Sequence, residues 1–403
     1  MIDQQTDHRI WSVKLNTRKM IYSLLPAIFL LTTLFGNAQP KPSPGMKRYM
    51  DMISPEGLSS SLHFITSDHF EGRGAGTTGE KLAAQYLASC YQWMGIPAIK
   101  KSNNNNDPLE NYFQEFQFSR NNKNVSSQNV IAFIEGSDPI LKKEAIIIIA
   151  HYDHLGKDSS LTDDQVFNGA ADDGSGTVAL LHIAKSFAEA RKNGNGPKRS
   201  ILFFHAGAEE RGIIGSNYYA GSSPLWPLEK TAAIINMDGV AGFDIANLPG
   251  NKNYVYILHI DSTSAHLFEK AKQLNSSGSI DLDILYPKNA ASFNSDHQPF
   301  DAELVPTIYF STGLTEHYHK VTDEASTIDY PHMAKITKLV FSLSWTLSNA
   351  MKIDSKFDRT KYAKTGRYYC APCGCSKDNS FFEKAGSCDD CSMSLKPEWA
   401  KKR

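Results

Sequence analysis

Two periods alternate along this chain, and the switching between them sets the elements it predicts. Residues 145–150 (AIIIIA) are apolar throughout and largely β-branched. That pattern fits a strand buried on both faces of a largely parallel sheet. Further strand-like segments lie at 113–118, 129–134, 200–205, 232–237, 254–260 and 306–310. Helical spacing covers about 47–65, 78–94, 176–191, 213–220, 264–274 and 331–351. In the second of these, Leu82, Ala83, Tyr86, Leu87 and Cys90 fall on one face, with Cys90 read as a buried thiol. Strands alternating with helices predict an α/β fold, a three-layer α/β/α sandwich around a mixed, largely parallel central sheet. The glycines of 71–79 (EGRGAGTTG) loosely evoke a phosphate loop, but SSSLHFITSDHF before them is no buried strand. They are expected to form a structural turn ahead of a helix.

The two ends depart from this pattern. Residues 21–35 are mostly apolar, follow Lys14, Arg18 and Lys19, and precede Gly36-Asn37-Ala38. That is the layout of a secretory signal over 1–38, cleaved after Ala38. The run is short for a spanning helix and contains Pro26, so no stable membrane insertion is expected after cleavage. The protein is expected to be exported, to a periplasm or the extracellular space. Residues 39–354 then form the main domain. From Ser355 to Arg403 the chain carries eleven Lys/Arg against six Asp/Glu. This marks a basic linker and a Cys-rich module at about 367–397. The whole chain has a formal charge of −1, 41% hydrophobic and 21% charged residues. Those values exclude a multi-span membrane protein and give no basic field for nucleic acid.

Six cysteines are distributed as one plus five. Cys90 stands alone, and Cys370, Cys373, Cys375, Cys388 and Cys391 crowd the tail. A disulfide framework for the whole chain is thereby excluded. Cys370-x2-Cys373 and Cys388-x2-Cys391 are paired knuckles with tetrathiolate zinc spacing, and Cys375 is an extra thiol that can replace Cys370 or Cys373. Five tail cysteines cannot all pair among themselves, which favours metal over disulfides. The stretch also resembles short heavy-metal-binding modules with a Cys-x-x-Cys-x-Met ending, here reaching Met393.

The chemistry of the main domain lies at the carboxyl ends of its predicted strands. They deliver His151, Asp153 and His154, then Glu209 and Glu210, then Asp238, then His317 and His319. The loop before the helix at 176 adds Asp172 and Asp173. Sites in open α/β sheets form at these ends. A single acid there is usually a cap or a solvated loop residue. So many acids in one crevice repel each other unless a cation offsets them. Mixed His and carboxylate donors suit zinc, and two ions sharing a bridging carboxylate need five protein ligands. Asp153, two residues past His151, is placed to accept the other imidazole N–H.

The motifs AHYDHLG, NGAADDGSG, AEERGIIGS, NMDG, SDHQPF and YHKVTDE, between residues 150 and 324, resemble those of the co-catalytic di-zinc aminopeptidases, a resemblance that covers roughly residues 50 to 350. Relatives of that family include glutamate carboxypeptidase and the transferrin-receptor ectodomain. The resemblance implies that His151 and Asp238 hold one zinc, that Glu210 and His319 hold the other, and that Asp172, rather than Asp173, bridges. It implies Glu209 as general base, His319 rather than His317 as ligand, and a cis peptide after Asp172. It implies peptide hydrolysis by water activated between the ions, with Glu209 taking its proton and passing it to the leaving amine. The segment 289–300 resembles the loop beside the family's specificity pocket. Phe293, Asp296 and His297 are therefore candidates for substrate binding, and Phe293 and Phe300 for an apolar wall. No arginine cluster for a substrate carboxylate stands out, which favours aminopeptidase over carboxypeptidase action on peptide substrates. Two other readings share the fold: a glutaminyl-cyclase-like acyltransferase with one zinc, and a binding protein without catalysis. Retention of the five ligands and Glu209 favours the peptidase.

Overall fold

The computed structural model describes residues 44–100, 107–120, 123–259, 264–276, 280–287, 293–353, 367–370, 375–383, 388–390 and 395–397. The expected signal segment 1–38, together with Cys373, Cys391 and Met393, lies outside the described residues. Eight strands build the main sheet: β1 (Phe113–Arg120), β2 (Lys123–Ile134), β3 (Ala145–His151), β6 (Ser200–Ala206), β7 (Thr231–Met237), β8 (Tyr254–His259), β9 (Asp283–Leu285) and β10 (Thr307–Ser311). Their order is β1-β2-β6-β3-β7-β10-β8-β9. The four central strands, β6, β3, β7 and β10, run parallel. β2 joins β6, and β8 joins β10, antiparallel on either side. Two short strands, β4 (Gly156–Lys157) and β5 (Val166–Phe167), pair outside this sheet. They are too brief to carry a periodic signal.

Helices cover both faces. α1 (Pro44–Met50), α2 (Pro55–Ile65), α3 (Thr78–Met94), α4 (Ser175–Lys192), α6 (Ala265–Asn275) and α8 (Tyr330–Asn349) share one core cluster. α5 (Ile214–Gly221) and the short α7 (Gln298–Ala302) cover the other. β3 shows why its sequence reads as continuous isoleucine. Ile146 and Ile148 belong to the first cluster, and Ile147 and Ile149 to the second. Every position is buried, so no polar residue can alternate with them. Each such side chain contributes at most about 2–3 kcal/mol relative to exposure.

Two expectations change, and the structural reading of the glycine loop holds. The helix expected over 47–65 is two helices, because Ser54 is extended (φ −119°, ψ 151°), its Oγ accepts the Gly57 N–H, and Pro55 opens α2. That is an N-terminal cap followed by the one helical position where proline is harmless. The buried face of α3 runs through Ala83, Ala84, Leu87, Ala88 and Tyr91, while Leu82 is exposed and Cys90 half-buried. The glycine loop is structural: Gly72 has φ +62°, and a Cβ there would sit 2.4 Å from the Gly156 carbonyl oxygen. Only glycine lets this loop lie against β4.

Glu80 closes the start of α3 from inside. Thr77 caps the helix, and the Glu80 carboxylate accepts the Gly76 N–H at 2.6 Å and the Ser127 hydroxyl. The side chain is wholly buried, and burial pushes its carboxyl up to about 7. In the unfolded chain the same group titrates near 4.5. Between those values the folded protein binds more protons, so this group's contribution to stability falls as pH rises from 4.5 to 7. We predict that wild type loses about 3 kcal/mol of stability relative to Glu80→Gln across that window. Denaturant titrations of both proteins at pH 4.5 and 7.5 measure it, and parallel pH profiles would refute it.

Candidate metal and active site

Because β6, β3, β7 and β10 run the same way, their outgoing loops open on one edge of the sheet. His151, the last residue of β3, points Nε2 at Asp172 Oδ1 (3.3 Å), Asp238 Oδ1 (3.6 Å) and Glu209 Oε2 (4.0 Å). His319, beyond β10, points Nε2 at Asp172 Oδ2 (3.1 Å) and Glu210 Oε2 (3.2 Å). Asp172 therefore divides its two oxygens between two separate His–acid groups. His317 turns away, its Nδ1 3.0 Å from Thr322 Oγ1.

The supporting acids bind backbone instead. Asp173, joined to Asp172 by a cis peptide, is buried. Its carboxylate accepts the N–H groups of His151, Gly176 and Gly239 at 3.2, 2.9 and 3.0 Å. Asp323 accepts those of Ala171 and Asp172 at 2.9 and 3.1 Å. Asp153 departs from its expected role. His151 Nδ1 lies 3.1 Å from the Asp153 main-chain oxygen and 3.9 Å from its carboxylate. The carboxylate is taken up by the N–H groups of Glu209 and Glu210 at 2.9 and 3.3 Å. It thus fixes the turn that carries both glutamates, while its carbonyl orients the imidazole.

Arg73, from the glycine loop, ties two of these segments together. Its wholly buried guanidinium donates to the carbonyls of Tyr152 (2.7 Å), Asn168 (2.7 Å), Gly169 (2.9 Å) and Ile65 (3.3 Å). Burial lowers its pKa to about 10 against the pull of Asp323, Asp153, Asp173 and Asp172, which leaves it cationic at neutral pH. Nothing in the sequence beyond its place between two glycines signals this role.

The electrostatics show what the cluster demands. Burial opposes charge on His151, yet Glu209, Asp172 and Asp238 hold it well above the ordinary imidazole range. Burial likewise opposes charge on His319, but Asp172 and Glu210 lift it to about 10. Burial would raise Asp172, and its bonds to His151 and His319 keep it low instead. The acids pull positive charge onto any group that can carry it. One Nε2–H cannot satisfy the two or three carboxylates that face each imidazole. The donor atoms of His151, Asp172 and Asp238 all lie within 4.8 Å of one another, as do those of His154, Asp172 and Glu210, although His154 Nδ1 is taken up by Glu210 and His319 Nε2 is the imidazole nitrogen that faces both acids. These are mixed imidazole and carboxylate sets that fit zinc.

A cavity opens beside these groups, lined by Asp172, Glu209, Glu210, Asp238 and His319 and, on its apolar side, by Phe293, Tyr309, Leu314 and Tyr318. Among the described residues, no Lys or Arg lines it. Of the substrate-binding candidates, Phe293 is in the wall, while Asp296 and His297 are buried behind it and do not line the cavity. Asp296 accepts the Ser216 hydroxyl, and burial pushes its carboxyl to about 6. His297 stacks on Tyr309 at 4.9 Å. Both side chains are held by internal partners. Phe300 is core, packed with Phe204 and Tyr219.

His154 is a residue whose part in the site the motif alone did not assign. It is fully buried, and its ring rests on Gly169, where a Cβ would lie 2.5 Å away. Its Nδ1 sits 2.9 Å from Glu210 Oε1, on the oxygen opposite the one facing His319. Its Nε2 is buried without a hydrogen-bond partner. A bare lone pair there is cheaper than a buried N–H, so the neutral tautomer carries its proton on Nδ1 and donates it to Glu210. We predict that His154→Leu weakens metal binding at the Glu210–His319 group by about 10- to 100-fold. His154→Asn, whose amide can reach the same oxygen, should recover most of it. Competition titrations with a chelator compare the three proteins, and equal affinities would remove His154 from this role.

Comparison with known proteins agrees with this architecture. A family model described as peptidase family M28 matches residues 129–344, just over half of the chain. Aminopeptidase Y of Saccharomyces cerevisiae is 26% identical over 238 residues, 54% of this chain and 38% of that protein. The chain spans under half the length of that curated relative. Among solved structures, the aminopeptidase from Aneurinibacillus sp. strain AM-1 superposes with a TM-score of 0.59 at 15% identity, covering 78% of this chain and 98% of that one. A zinc aminopeptidase from Bacillus subtilis gives a TM-score of 0.57 at 16% identity, covering 75% and 97%. At such identities the structural likeness speaks for the fold, and the family match carries the assignment: this chain belongs to peptidase family M28.

Proposed function

We propose that this protein is an exported aminopeptidase that removes N-terminal residues from peptides with two zinc ions and a glutamate general base. The observation that carries the reading is the division of Asp172, with Oδ1 toward His151 and Oδ2 toward His319. In this reading His151 and Asp238 hold one ion, Glu210 and His319 hold the other, and Asp172 bridges. Bound there, the ions supply Lewis acidity for the scissile carbonyl and for water.

The chain's own residues do the rest. Glu209 stays outside both ligand sets, in the cavity wall. Burial and the acids Asp296, Asp238 and Glu210 raise its carboxyl well above the usual range, against the pull of His151. A carboxylate so raised accepts the proton of the attacking water at Oε and returns it to the departing amine. The acidic wall, with no Lys or Arg among its described residues, favours a substrate's ammonium end over its carboxylate end. Phe293, Tyr309, Leu314 and Tyr318 offer an apolar surface for the N-terminal side chain. Export rests on the signal pattern of residues 1–38.

Glu209→Gln should cut turnover of aminoacyl anilides by about 10²- to 10⁴-fold while zinc content stays at the wild-type level. Steady-state kinetics with metal analysis test it, and unchanged turnover would sink the assignment of the base. Acetylating a peptide's N-terminus should abolish cleavage, whereas amidating its C-terminus should not. The opposite pattern would make the enzyme a carboxypeptidase.

A further inference from the structure

The peptidase reading leaves the C-terminal cysteines without a task. We propose that Cys370, Cys375 and Cys388 are three ligands of a thiolate zinc site separate from the catalytic pair. Their Sγ atoms all lie within 4.8 Å of one another. Cys375 stands 3.6 Å from Cys370 and 3.9 Å from Cys388. Four sulfurs bound at about 2.3 Å around a tetrahedral zinc are about 3.8 Å apart. The two separations bracket that edge length, and a single sulfur, Cys375, stands close to both of the others. Such a triangle shares one centre. Cys375, an extra thiol in the knuckle spacing, is thus one of the three sulfurs brought together among the described residues.

The local fold argues independently for an ion. The module has three two-residue strands, β11 (Tyr368–Tyr369), β12 (Phe381–Phe382) and β13 (Lys396–Pro397), in the order β12-β11-β13. Among its described residues, the buried cluster is Cys370, Cys388 and Leu395, with Tyr368, Cys375 and Phe382 partly covered. So small an apolar core cannot offset the entropy of ordering the segment, and modules of this size rely on a metal or disulfides. Polar contacts draw the two halves together. The Ser376 N–H donates to Asp390 Oδ2 at 2.7 Å, and Asn379 N–H to the Cys370 carbonyl at 2.9 Å. The result is a closed sulfur site, as in structural zinc knuckles, with two of its three described sulfurs in buried residues.

The test uses the full mature chain, reduced and loaded with cobalt(II) as a zinc probe. A sulfur-to-cobalt charge-transfer band should appear and be lost in Cys375→Ser and in Cys388→Ser. With zinc, each variant should bind one ion fewer than wild type, a count that does not depend on the catalytic reading, and its peptidase turnover should stay at the wild-type level. Absence of the band in reduced protein would overturn the site. So would an unchanged zinc count in the Cys370→Ser/Cys375→Ser/Cys388→Ser variant, or disulfides among these three residues in protein isolated from its exporting host.

Discussion

Carboxylates crowded at the open edge of a parallel sheet are the constraint around which this protein is arranged. Asp153, Asp172, Asp173, Glu209, Glu210, Asp238 and Asp323 all issue from the edge where β3, β6, β7 and β10 end. In a buried crevice of low dielectric, so many anions repel one another and lose their hydration. The fold separates them by partner. Asp153, Asp173 and Asp323 accept seven backbone N–H groups between them. Those bonds turn three acids into fixed pegs. The others keep their oxygens directed into the crevice, where they confront imidazoles.

This division explains how the site stays rigid although its residues come from loops. Arg73 reaches the loop after β3 and the turn before α4 through carbonyls. Asp153 links the loop after β3 to the glutamate turn after β6. Asp173 links β3, α4 and the residue after Asp238. Each link uses a charged side chain on backbone groups, bonds of roughly 1.5–3 kcal/mol, stronger than neutral ones. Removing one would release a loop and leave several polar groups unpaired. Precise placement of His151, Asp172 and the glutamates therefore depends on residues that never face the cavity.

The isoleucine run of β3 was legible because a doubly covered strand tolerates no polar position. The acids at strand ends were legible because a parallel sheet gathers its outgoing loops. What the sequence withheld concerns individual atoms. Asp153 was read as the partner of His151 through its carboxylate, but the adjacent carbonyl is nearer and the carboxylate has two N–H donors to satisfy. Asp296 and His297 stood in a motif beside the pocket, yet packing turned them behind its wall. The break before Pro55 was written in Ser54-Pro55 and masked by helical spacing on either side. Leu82 points outward while Ala83, Ala84 and Ala88 hold the buried face. In each case competition between two nearby partners decided the outcome, and spacing does not encode that competition.

The chain holds two donor clusters of different chemistry, and their burial matches that difference. The first consists of imidazole and carboxylate groups, with the side chain of His319 34% exposed and that of Asp238 16%. Both border the cavity, so a ligand entering from solvent reaches the same edge as their donor atoms. The second consists of thiols, with Cys370 and Cys388 at 1% and 2% exposure. Hard and borderline donors on an open edge suit an ion that must accept a substrate oxygen. Soft donors closed from solvent suit an ion that only holds chain segments together. Because no cysteine enters the first cluster and no histidine the second, the two sites differ in the ions they favour and in the reagents that attack them. A thiol reagent can therefore disturb the tail without touching the carboxylate edge, and the two clusters can be perturbed one at a time.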